Sequence, residues 1–208
     1  MEETLMEFDL TTLLEQLLQQ NSCDSIMFQY FNQLINHRTI IFNKDINEDI
    51  IETIYLPLRD FENDESQKPV TLILNCIGGS VSDGFFFADY LTQYKKPLNI
   101  IVCGYAASMA ALILAAGGKN TNITRFCYPN SYALIHDGQV AVQASEAKTA
   151  ADIMAFNDYI DKQMRQFFIN NTNISPEEFD SHSRKQWFIN SQEMKELGLI
   201  DKIIGVDE

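Results

Sequence analysis

The sequence is short of positive charge, of histidine and of any paired cysteine motif, and each shortage closes off a class of function. Lysine and arginine total 15 against 29 aspartates and glutamates, a net charge of −14. A surface of that sign repels phosphate backbones and anionic lipid, so neither nucleic acid nor a membrane is an expected partner. The four cysteines, Cys23, Cys76, Cys103 and Cys127, form no CxxC pair and have no histidine at ligand spacing, so no metal or cofactor site is expected. Three of them lie in apolar runs and read as buried thiols of a chain in a reducing, cytoplasmic compartment. Two glutamates precede the first apolar run, and the basic leading region of a signal peptide is missing. One stretch, residues 98–116, has the length of a membrane span. Asn99, Gly104 and Ser108 interrupt it, and it divides into a β-rich half and an alanine-rich half, which suits a buried strand feeding a buried helix.

What is present fits one domain with a short appendage. The chain has 208 residues, 46% of them hydrophobic, enough to bury a core without disulfides or metals. Residues 1–36 read as an N-terminal helical segment, with Leu10, Leu13, Leu14, Leu17 and Leu18 at helical spacing; residues 37–208 read as the main domain. Within it, short β-rich runs (38–42, 70–75, 99–103, 125–128, 132–136, 187–190, 199–205) are separated by helical patterns. A helix is expected over 47–60 from an Asn cap, another over 81–94, and a third over 108–116. The longest is expected over 145–170, and shorter ones start at Ser175-Pro176 and at Ser191. Alternating strands and helices with apolar strands predict an α/β layered fold.

Two turns join the end of an apolar strand to the start of a helix. Gly78-Gly79-Ser80 is the first. Paired glycines open backbone dihedrals closed to other residues and can point N–H groups at a phosphate or a developing oxyanion. The alternative is an ordinary strand-to-helix turn. The second turn, around Ser108, sets a serine at a helix N-terminus among small residues, where negative charge is favoured; a plain N-cap is the competing reading. A nucleophilic serine needs a base, and three histidines are available. His37 precedes the first strand, His182 lies in a polar loop, and His136 ends an apolar strand on the same rim as the two turns. His136 is therefore the best partner.

The series LILNCIGGSVSDG, CGYAASMAA, YALIHDG and FINSQEMKELGLIDKI, in that order and spacing, closely resembles the proteolytic subunit of Clp ATP-dependent proteases. The resemblance runs from about residue 38 to 204. It implies a Clp/crotonase-like α/β fold of repeated strand-strand-helix units, with the 145–170 helix protruding as a handle through which heptameric rings stack. It also implies a serine endopeptidase with Ser108 as nucleophile, His136 as general base, and Gly79 and Met109 as backbone donors of the oxyanion hole. Residues 140–143 would hold an extended peptide. The implied partners are further copies of the chain in a ring, an AAA+ unfoldase, and an unfolded polypeptide as substrate.

The sequence departs from the family pattern at the third triad position. Where the family has aspartate, counting back from the last motif, this chain has Gln186. Glutamine can accept a hydrogen bond from the histidine but brings no negative charge to stabilise an imidazolium. Asp180 is a nearby carboxylate that a shifted loop could bring in. The alternative to an active peptidase is therefore a weak or inactive structural subunit of the same fold. Arg184 and Lys185 stand where the family has an acidic–basic pair, and Thr71 and Ile73 where it often has docking aromatics.

Overall fold

The computed structural model describes residues 25–136, 147–183 and 185–207. The chain divides into two units, residues 1–38 and 39–208. In the first, the described element is the helix α1 (Ser25–His37). The second is a mostly parallel α/β layer. Its strands are β1 (Thr39–Phe42), β2 (Val70–Cys76), β3 (Leu98–Ala107), β4 (Ile123–Cys127), β5 (Tyr132–Ile135), β6 (Trp187–Asn190) and β7 (Lys202–Ile203). The main path runs β1-β2-β3-β4-β7; β5 branches from β3 and pairs antiparallel with β6.

Alternation builds the sheet. In β2, Val70, Leu72, Leu74 and Cys76 are buried, while Thr71, Ile73 and Asn75 are half-buried. The apolar run thus packs one face fully and the other only partly, which is less than a strand buried on both faces. The helix α4 (Met109–Ala116) packs on β3, and α3 (Val81–Thr92) packs on α4. All eight residues of α4 are buried. Full burial of each of Leu112, Ile113 and Leu114 stabilises the domain by about 1.5–3 kcal/mol. The span-length stretch therefore divides as expected into β3 and α4, and among the described residues no helix is long and apolar enough to cross a membrane.

One element departs from expectation. Asn47 accepts a bond from the Asp49 N–H, but the helix that follows begins with a π-helical turn, Ile51–Tyr55, before α2 (Leu56–Asn63). Pro57 explains it. A proline ring has no N–H to donate and collides with the carbonyl four residues back, and a widened turn relieves the collision. The long helix α5 spans Ala147–Asn171, α6 Pro176–Ser181 and α7 Ser191–Glu196. Ser175 caps α6 by accepting the Glu178 N–H at 3.1 Å, and Gly198 (φ +71°) follows α7.

β3 decides where the site forms. Its first half pairs with β4 and its last three residues pair with β5. Between them the register against β2 slips, because Leu74 faces Val102 but Cys76 faces Ala106. Gly104 (φ +97°) sits in this bulge. The bulge bends β3 away from β4 and delivers its end to β5, bringing Ser108 beside the strand that leads to His136.

Candidate active site

Ser108 occupies the position just before α4 with φ 54° and ψ −125°, a backbone conformation that a side-chain-bearing residue rarely adopts, and its side chain makes no cap bond. A helix cap would show extended dihedrals and a hydroxyl turned onto the first-turn N–H groups. Neither is found. The strained conformation is held from both sides. The Ser108 N–H donates to the Leu134 carbonyl at 2.8 Å, and Gly78 packs so closely that an added Cβ would lie 2.6 Å from the Ser108 Cβ.

The glycine turn is fixed by residue 46. The Ile46 N–H donates to the Gly78 carbonyl (2.8 Å), and the Ser80 N–H donates to the Ile46 carbonyl (2.7 Å). In such a parallel bridge the two bonds flank Gly79, so its own N–H faces the opposite side. Gly79 also lines a groove of ≈ 840 Å³ together with Ser108 and His136. Ile77, Val81 and Phe85 line the same groove, and Met154, Ile160 and Met164 of α5 form its far wall, with Asp158 and Asp161 among them. Met109 opens α4, where the first N–H groups have no carbonyl of their own helix to bond. Only glycine fits at position 79: with φ +148°, an added Cβ would come 2.1 Å from the Ile46 carbonyl oxygen.

Cys76 is no competing nucleophile. Burial pushes its thiol above the ordinary range, and its sulfur accepts the Gly78 N–H at 3.3 Å.

His136 follows β5, is half-buried, and lines two spaces at once: the groove with Ser108 and a separate crevice of ≈ 10 Å³. The crevice is lined by Ile135, His136, Phe179, His182, Ser183 and Trp187. Gln186 is exposed, just before β6, and lines neither space. Asp180 is committed elsewhere. Arg165 of α5 donates to both its oxygens (2.6 and 2.7 Å), and the guanidinium holds the carboxyl below its usual range. Residues 140–143, Asp137, Arg184 and the leucine-rich 1–20 stretch lie outside the described residues.

Sequence reading thus brought Ser108, Gly79 and His136 to one rim, and the structure places all three on one groove. It left His182 as a loop residue. Its place in the crevice depends on how the segment after α6 folds back against β5, and no local pattern signals that. Among the described residues, no cluster of side chains suited to holding a metal ion is present. With this geometry in place, the family model described as Clp protease matches residues 22–207.

Proposed function

The chain belongs to the Clp protease family, and from that premise we propose that it is a serine endopeptidase with Ser108 as nucleophile and His136 as general base. The observation that carries the reading is the uncapped, strained Ser108 sharing one groove with His136 and Gly79. Strain at a residue whose surroundings hold it in place marks functional positions. Ser108 Oγ attacks the scissile carbonyl as His136 takes its proton. The Gly79 and Met109 N–H groups stabilise the oxyanion, and His136 returns the proton to the leaving amine. The apolar groove wall suits apolar side chains of an unfolded polypeptide. Family membership further supports assembly into a ring, heptameric and stacked through α5 as a handle, fed by an AAA+ unfoldase.

A second reading, a weakly active or structural subunit, is favoured by one observation. Gln186, the match to the family's third triad position, is uncharged and exposed. A fluorophosphonate probe on the assembled protein separates the two. Labelling is expected in the wild type and lost in Ser108→Ala and His136→Ala. A wild-type oligomer that takes no label would overturn the peptidase assignment.

A further inference from the structure

We propose that His182, and not Gln186, is the residue that orients the His136 imidazole, acting across the crevice that the two share. The inference rests on the Ser108–His136 assignment above and names a positioning residue for it.

His182 Nδ1 lies 3.0 Å from the Glu178 carbonyl and 3.1 Å from Ser181 Oγ. A carbonyl only accepts, so Nδ1 carries the proton. The Ser181 hydroxyl spends its own proton on the same carbonyl at 2.8 Å, which leaves it too as an acceptor toward Nδ1. In the neutral ring the lone pair is therefore on Nε2. One face of the ring is covered by Trp187, with centroids 3.9 Å apart and planes 4° from parallel. Trp187 is in turn paired with Ile135, the residue before His136. With Nδ1 turned back to α6 and one face on Trp187, His182 lines the crevice that it shares with His136, and Nε2 is the acceptor it can offer there.

The crevice has room for about one water molecule, and its polar lining (His136, His182, Ser183) can hold one. A fixed acceptor there, reached directly or through that water, selects the His136 tautomer with Nδ1–H toward the crevice and the Nε2 lone pair toward Ser108. A general base needs that tautomer. Among the described residues, the crevice lining holds no carboxylate; Asp158 and Asp161 line the groove, and Asp180 is paired with Arg165. The acceptor is neutral, so it fixes orientation without the charge of the family's aspartate.

The test uses the full-length assembled protein. His182→Phe keeps the stack on Trp187 and removes the acceptor; His182→Gln restores one. With folding checked by the urea midpoint, His182→Phe is expected to lower the fluorophosphonate labelling rate and kcat at least about tenfold with KM unchanged, as loss of an orienting group does. His182→Gln is expected to recover part of the loss, and Gln186→Ala to label at the wild-type rate. Labelling abolished by Ser108→Ala but unchanged in His182→Phe overturns this inference alone. A tenfold loss in Gln186→Ala with none in His182→Phe returns the role to Gln186. Labelling that survives Ser108→Ala overturns the assignment beneath it.

Discussion

Replacing Gly78 with alanine tests the closest contact behind the serine. The new Cβ would lie 2.6 Å from the Ser108 Cβ, 2.7 Å from the Ala107 carbonyl oxygen and 3.0 Å from the Met109 nitrogen, all fixed parts of the β3–α4 turn. Gly78 also has φ +99°, where a side chain is strained in any surroundings. The dihedral costs about 1–2 kcal/mol, and overpacking against backbone adds about 1–3 kcal/mol. The two together make about 2–5 kcal/mol, a large part of a typical domain's stability. With ordinary urea sensitivity for a small protein the unfolding midpoint should fall by about 1–2 M. Activity should fall as well. Restoring an ordinary 3.4 Å contact moves Ser108 by about 0.8 Å, and misplacement of about 1 Å can cost on the order of a hundredfold. Gly205→Ala is the control: it shares a positive φ (+77°) but has nothing within 4 Å of the added carbon. It should lose only the dihedral cost of about 1–2 kcal/mol and label at the wild-type rate. If Gly78→Ala melts like Gly205→Ala and labels like the wild type, the tight approach described here is wrong.

Two further expectations follow from buried and paired charges. Arg125 is nearly buried and donates to both oxygens of Asp201 and to the Gly198 carbonyl, so Asp201→Ala strands a buried guanidinium and should cost about 3–5 kcal/mol in urea unfolding. A loss under about 1 kcal/mol would show that solvent already serves that cation. The Asp180 carboxyl is depressed by Arg165, so the stability this pair adds is present above the ordinary carboxylate range and lost as pH falls through the depressed value. Asp180→Asn should therefore flatten the fall of Tm between neutral and acid pH. An unchanged slope would mean the pair contributes nothing to the link between α5 and α6.

Much of this architecture was legible because local chemistry and fold agreed. The apolar run of 70–75, the break at Gly104 and the small residues around Ser108 each act within a few residues, and each maps onto the element it suggested. The π-turn at 51–55 was missed because the helical signal and the Asn47 cap are real, while the effect of Pro57 runs four residues backward. The strand expected over 199–205 shrinks to Lys202–Ile203, since β7 is an edge paired on one side only with the end of β4. The crevice could not be read at all. It needs β5, β6 and the end of α6 in one place, and Ile135 and Trp187 are 52 positions apart in the chain and adjacent only in the ladder.

The bond from the Ser108 N–H to the Leu134 carbonyl also determines where such a site can be switched. It ties the backbone of the serine to the strand that leads to His136. His182 and Ser183 are secured differently, just past the C-terminus of α6. A contact pressing on this face would leave the serine–histidine spacing intact and shift the residues behind the histidine. An on–off control built this way works as a clutch: the machinery stays assembled, and only its engagement changes. Amide exchange should register it as slow, shared protection at 108 and 134–135, with faster exchange at 182 and 183.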